Sequence, residues 1–182
     1  MRLKTAVFSL GLAAPLLAGL AFAQEMPKPG PEHEFLKQDV GTWDATVEAW
    51  MTPGQPAAVS KGVDTVSMIG GFWTVGDFKS EMMGQPFHGT GTTGFDPAKK
   101  KYVSTWVDSM APGLNVGEYS YDAKTRTMTG LSEGPGMDGK PVKTRQVIEW
   151  KDADNKVFTM YTPVGPDGKD AVMMRITYKR RK

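Results

Sequence analysis

From Gly41 to the end of the chain, apolar and polar positions alternate with a period of two, and punctuating turns break the pattern into short runs. Alternation of this kind marks strands that bury one face. The runs lie at about 41–51, 57–69, 71–82, 86–95, 101–109, 114–121, 126–132, 141–151, 156–163 and 170–179. Between them stand turn sequences such as "MIGG", "MMGQP", "FDPAKK", "MAPG", "YDAKT", "EGPGMDGKP", "KDADNK" and "VGPDGKD". A different period precedes them. In "EHEFLKQDVGTW", Phe35, Leu36 and Val40 recur at helical spacing, which predicts one short helix ending before Gly41.

No helical crossover fits between any two runs, so the strands must be antiparallel and joined in sequence. An open meander of ten strands would leave two unpaired edges. Closure removes them, and the expected fold is therefore all-β: an up-and-down barrel of about ten antiparallel strands with the helix plugging one end. Three connections, "GFDPAKKKYV", "SYDAKTRTMT" and "EWKDADNKVF", share an aromatic, an acid and a polar turn before the next strand, which suggests one hairpin design used repeatedly.

The first 23 residues do not join this pattern. Arg2 and Lys4 form a basic start, an apolar stretch interrupted by Pro15 follows, and Ala21-Phe22-Ala23 offers a cleavage site before Gln24. This is the anatomy of a secretory signal peptide rather than of a membrane span. The expected organisation is a leader over 1–23, a proline-rich lead-in over 24–31 and one barrel domain over 32–182. The chain has no cysteine, which excludes disulfides and thiolate metal sites. With the leader it loses two of its 22 basic residues and is left evenly balanced against 20 acidic ones. A neutral exported protein without cysteines suits a bacterial periplasm, and neither its charge nor that compartment suits nucleic-acid binding. No integral membrane segment is expected after cleavage.

Several motifs carry familiar letters without the context their chemistry needs. Gly89-Thr90-Gly91-Thr92-Thr93-Gly94 spells the dinucleotide fingerprint, but Phe95-Asp96-Pro97 and another strand follow where a helix must begin. If Phe95 pairs with Tyr102, Trp106 falls opposite Gly91 and Asp108 opposite Gly89, and the glycines would thin this wall and make room for an aromatic or a ligand. Asp96 caps the turn between them. Gly130-Leu131-Ser132-Glu133-Gly134 spells a nucleophile elbow, but both histidines, His33 and His88, precede the serine. Asp152-Ala153-Asp154-Asn155 lacks the glycine and glutamate of a calcium loop. The many methionines read as adaptable apolar filler. No catalytic set, metal site or cofactor is expected.

The helix running into Gly41 and Trp43 resembles the Gly-x-Trp entry of lipocalin-like (calycin) barrels. The stretches "MMGQPFHGTGTTGFDPAKKKYVSTWVDSM", "GKPVKTRQVIEW" and "DGKDAVMMRITYKRR" resemble a bacterial family of uncharacterised secreted proteins, domain of unknown function 1579. The resemblance implies a calycin-type barrel and no established activity. In lipocalins a last-strand arginine covers the entry tryptophan, and Arg175 over Trp43 is the matching expectation.

Three functions remain open, in this order. The first is non-catalytic binding of a small lipophilic or amphipathic molecule in the lumen, with Trp106, Tyr119 and Tyr161 as aromatic walls and Asp108 and Arg145 as polar anchors. The second is an interaction module of the cell envelope that holds no ligand. The third is an enzyme, for instance a haem barrel using His88.

Overall fold

The computed structural model describes residues 26–52, 54–136, 139–162 and 170–182, so the expected leader lies outside the described residues. Helix α1 (Pro31–Lys37) leads into ten strands: β1 (Gly41–Ala49), β2 (Ala58–Ile69), β3 (Trp73–Met82), β4 (Gln85–Asp96), β5 (Lys101–Asp108), β6 (Ala111–Asp122), β7 (Thr127–Pro135), β8 (Pro141–Trp150), β9 (Asn155–Tyr161) and β10 (Val172–Arg180). Each strand pairs antiparallel with its sequence neighbours, and β10 returns to β1 from Trp43↔Arg180 to Ala49↔Met174. The sheet is a closed barrel, as the unpaired edges of an open meander require.

Some boundaries differ from the sequence pattern. Val40 lies beyond the helix, which stops at Lys37, and is 37% exposed. Strand β7 continues to Pro135 through what reads as a turn, because Glu133, Gly134 and Pro135 pair with Lys143, Val142 and Pro141. Ser132 is thus inside a strand and buried, and another strand follows where an elbow would need a helix. Strand β6 likewise begins at Ala111, earlier than the alternation shows.

The tight turns follow their residues. Met83 and Gly84 both take positive φ (51° and 76°), the two-residue turn whose twist suits a hairpin. The three look-alike connections share one device. Asp96, Asp122 and Asp152 each turn a carboxylate back onto the backbone N–H two residues on, at 2.8–2.9 Å.

Register fixes which face points inward, since directly paired residues lie on one side of the sheet. Trp43, Ala45 and Val47 begin the inner face, and each strand in turn contributes its matching residues. Two aromatic clusters result. One gathers Trp43, Val66, Phe78, Phe87, Ile176 and Tyr178; the other gathers Leu36, Tyr102, Tyr119, Met128 and Trp150. Helix α1 supplies Leu36 to the second cluster and sets Phe35 against Tyr102, Tyr121 and Trp150, with ring centroids 5.5, 3.7 and 5.0 Å apart. That closes one end of the barrel.

Candidate functional site

The plugged end is held by charge as well as by rings. Lys156, on β9, points inward and is buried; its Nζ donates to Asp39 Oδ1 at 2.5 Å and lies over Trp43 and Tyr178. Trp43 Nε1 donates to the Asp39 carbonyl at 2.8 Å. Arg180 stacks on Trp43 at 4.0 Å and donates to the carbonyls of Val40, Gln38 and Ala153 at 2.6, 2.6 and 3.1 Å. Gly41 is required beneath it: its φ is 135°, and a Cβ there would stand 2.6 Å from Arg180 Nη1. The expected arginine over Trp43 therefore exists but is Arg180, not Arg175. Arg175 has the opposite parity on β10 and lies over Trp50 at 5.7 Å.

Beyond this end, a belt of inward residues crosses the middle of the lumen. Tyr119 Oη donates to Gln146 Oε1 at 2.6 Å and accepts from Ser104 Oγ at 3.3 Å. Gln146 Nε2 turns to Thr144 Oγ1 at 3.5 Å and to the Met160 sulfur at 3.9 Å. Burial pushes the Tyr119 phenol above its usual range, against a smaller opposite pull from Ser104 and Ser132. Ile148, Phe158, Met160 and Met174 share the inward face of β8 to β10 with Gln146. All four are half-buried. Phe158 and Met174 pack against the first cluster and Ile148 against the second, and all four still keep part of their solvent contact.

Strands β2 to β4 supply a second wall built on glycine. The register Phe95↔Tyr102, Gly91↔Trp106 and Gly89↔Asp108 is the one the sequence predicts. A Cβ on Gly89 would stand 2.2 Å from Trp106 Cζ2, and one on Gly91 3.0 Å from Cε3, so the indole lies flat where those side chains would be. Gly91 in turn pairs with Gly76, and Asp64 Oδ1 lies 3.1 Å from a Cβ built there. Asp64 is inward and half-buried, opposite Trp43 and Phe78, and its Oδ1 is buried without a hydrogen-bond partner. Burial pushes its carboxyl up to about 6; nearby Lys156 opposes that, while Asp39 and Asp77 reinforce it.

Of the five residues expected to line the lumen, the structure places three there. Trp106, Asp108 and Tyr119 point inward, and Trp106 Nε1 donates to Asp108 Oδ2 at 3.0 Å. Arg145 and Tyr161 do not. They pair with each other on the outer face, where Arg145 also pairs with Leu131, donates to Asp170 at 2.6 Å and stacks on Tyr161 at 3.7 Å. Asp64 and Gln146, which the sequence pattern did not single out, occupy the interior instead.

Two cavities qualify the picture. One of about 30 Å³ lies beneath the helix among Phe35, Asp39, Thr74 and Trp150, room for about one water. The other, about 850 Å³, is an open groove on the outside of β6 to β8, with Leu114, Val116 and Leu131 in its floor. Of its charged lining, Lys143 meets Glu133 at 3.3 Å, Glu118 is taken by Lys99 from outside the groove at 2.5 Å, and Lys101 bonds the Ser120 hydroxyl at 2.5 Å. The motif residues add no chemistry. The glycine fingerprint lies within β4, and His88 sits on the outer face bonded to Asp77. Among the described residues no group of three or more His, Cys, Asp or Glu is placed to hold a metal.

Over residues 28–180 the sequence matches the family described as protein of unknown function (DUF1579). The chain belongs to that family. This DUF1579 barrel is similar in fold to Rv2717c from M. tuberculosis, at 11% identity and a TM-score of 0.56, covering 85% of this chain and 100% of that one. It is also similar to the S-type phycobiliprotein lyase CPES from Guillardia theta, at 11% identity and a TM-score of 0.50, covering 82% and 92%. At such identities the likeness is one of fold. No curated protein matches the chain.

Proposed function

We propose that this DUF1579 protein binds a small amphipathic molecule non-catalytically inside its barrel, in the periplasm of the cell that exports it. The carrying observation is the half-buried inward belt: Ile148, Phe158, Met160 and Met174 offer apolar contact around the Gln146–Tyr119 pair. An apolar pocket with a few convergent polar groups is how small-molecule sites are commonly built. The outer groove is larger, but it is open to solvent and each of its charged groups already has a polar partner. The phycobiliprotein lyase, a barrel of related fold, is consistent with the reading and lends it no chemistry. Export rests on the leader-like residues 1–23 and is checked by an N-terminus beginning at Gln24 in protein recovered from cells.

The binding reading is tested by titrating the neutral fluorophore N-phenyl-1-naphthylamine into purified protein. Saturable binding is expected. Met160→Trp, which fills the lumen, should abolish it, and Val116→Trp in the outer groove should not. An empty mass spectrum after ligand extraction, together with no saturable fluorophore binding, would instead favour an interaction module working through its outer surface.

A further inference from the structure

Charge balance inside the barrel singles out Asp64. Among the described strand residues that face inward, the carboxylates are Asp64 and Asp108 and the cations are Lys156 and Arg180. Three of the four are fully engaged. Asp108 accepts from Trp106 Nε1 and from the backbone N–H groups of Met110 and Ala111, at 3.0, 2.9 and 3.0 Å. Lys156 is committed to Asp39, and Arg180 to three carbonyl oxygens and to Asp154 at 3.4 Å. Asp64 feels the field of Lys156, yet its Oδ1 has no partner. A carboxylate with one oxygen buried and unpartnered is costly to hold ionised, and Asp64, half-buried, keeps its other oxygen outside the fully buried set.

The surroundings say what could arrive. Asp64 Oδ1 rests over Gly76, the Trp106 ring rests over Gly91, and those two glycines are directly paired. Directly paired positions bring their side chains about 4.5–5.5 Å apart. A carboxylate and an aromatic face therefore stand side by side on one glycine shelf. An ammonium group satisfies both, donating N–H to the carboxylate's other oxygen, which Oδ1 against Gly76 leaves facing inward, while its charge rests near the ring. A hydroxyl would fill the hydrogen bond and leave the charge unanswered, and an anion would be repelled.

Resting on the lumen-binding reading above, we infer that the ligand is an amphipathic amine whose protonated nitrogen is received by Asp64 beside Trp106, with its apolar body among Ile148, Phe158 and Met160. Recognition should then need the ionised carboxylate. The groups facing Asp64 are Trp43 from β1, Phe78 from β3, Tyr178 from β10, Lys156 from β9 and Asp39 after the helix, with Asp77 across the wall. With its carboxyl held near 6, Asp64 is charged at pH 7.5 and mostly neutral at pH 5.

The experiment displaces bound N-phenyl-1-naphthylamine with three matched compounds: 4-phenylbutylamine, 4-phenylbutanol and 4-phenylbutyrate. At pH 7.5 the amine should bind about 10- to 100-fold more tightly than the alcohol, the worth of one charge-assisted hydrogen bond, and the carboxylate should bind most weakly. Asp64→Asn should erase the amine's advantage, and Asp77→Asn on the outer face should preserve it. Should Asp64→Asn fail to fold, the unaltered protein decides alone: the amine-to-alcohol ratio must shrink by about tenfold between pH 7.5 and pH 5. Equal binding of amine and alcohol at pH 7.5, or an advantage that survives both the substitution and the acid shift, overturns the amine while fluorophore binding still upholds the lumen. If the fluorophore does not bind, the lumen reading fails and takes this inference with it.

Discussion

Lys156 stands between two acids that the barrel treats differently. At the plugged end, Asp39 receives its ammonium at 2.5 Å, and the indole of Trp43, donating to the same residue's carbonyl, holds the pair in place. Further into the lumen, Asp64 faces the same charge without contact and keeps an orphaned oxygen. At the plugged end, the finished one, the inward charges are balanced and the rings pack, and what is left over is neutral: the Trp150 Nε1 and Gln38 Nε2 groups without partners and a space for about one water beneath the helix. The lumen beyond it is unfinished: it holds a charge the fold itself leaves unbalanced and apolar residues that still meet solvent. That contrast separates side chains that hold the barrel shut from those available to a ligand, and it makes opposite predictions for charges of similar depth.

The largest effect should come from breaking the finished side. Lys156→Met leaves Asp39 without its partner in a partly buried place and removes a cation from Trp43 and Tyr178. Losing one member of a buried pair costs about 3 kcal/mol. Urea unfolding followed by tryptophan fluorescence should show it. Adding Asp39→Asn to the same chain should recover part of the loss, because the stranded charge is then gone. If the single substitution changes the midpoint no more than a surface lysine does, the pair is not the latch described here.

On the unfinished side the sign reverses. The Asp64 carboxyl titrates near 6 in the folded chain, above its ordinary 3.8. Between those values the folded state holds the proton more tightly than the unfolded chain does. Its contribution to stability is therefore full below about pH 4, falls as pH rises toward 6 and is absent above. Asp64→Asn should thus stabilise the empty protein at pH 7.5 by about 2 kcal/mol, and by nothing measurable at pH 3.5. A destabilised variant at pH 7.5 would show that Asp64 is paired after all. A residue that improves the empty fold when removed, and weakens binding when removed, has the trade-off of a functional group.

A smaller effect should follow from the belt. Gln146→Leu takes the acceptor from the Tyr119 hydroxyl but leaves Ser104 in reach, so the expected cost is about 1 kcal/mol. The phenol then has to find a new acceptor, and near-ultraviolet circular dichroism of the tyrosines should change with the substitution. An unchanged spectrum would mean that the belt is not ordered in solution.

How much of this was legible in the sequence depended on how clean the alternation was. In β4 and β5 a glycine, Gly91, stands opposite the large indole of Trp106, and one pairing assumption gave the register and put Trp106 and Asp108 on one face, though not which face is the inner one. Strand β8 gives no such lead. Its inward row is Val142, Thr144, Gln146, Ile148 and Trp150, and its outward row is Lys143, Arg145, Val147 and Glu149; both mix polar with apolar residues. A barrel that keeps polar groups inside blurs the two rows, and a charged or aromatic residue such as Arg145 or Tyr161 then looks as fit for the lumen as Gln146. The last strand fails for a related reason. Arg175 and Arg180 both suit the stack on Trp43, and only the β1–β10 register, which joins the two ends of the chain, selects Arg180. Asp64 was hidden because its significance lies in a missing partner, a property of three-dimensional surroundings that no local pattern carries.

Arg145 supplies the mildest test of the comparison. It is charged and it touches an aromatic ring, the combination the lumen offers at Asp64 and Trp106 with the signs exchanged. It stands on the outer face, 37% exposed, with its charge answered by Asp170. Solvent screens such a pair, and exposed pairs of this kind contribute from nothing to about 1 kcal/mol. Arg145→Ala should therefore shift the unfolding midpoint little and leave the affinity for N-phenyl-1-naphthylamine and the preference for 4-phenylbutylamine unchanged. A tenfold loss of either would mean that ligands are held on the outside of the wall, and the difference between the finished end and the unfinished lumen would then no longer say where binding occurs.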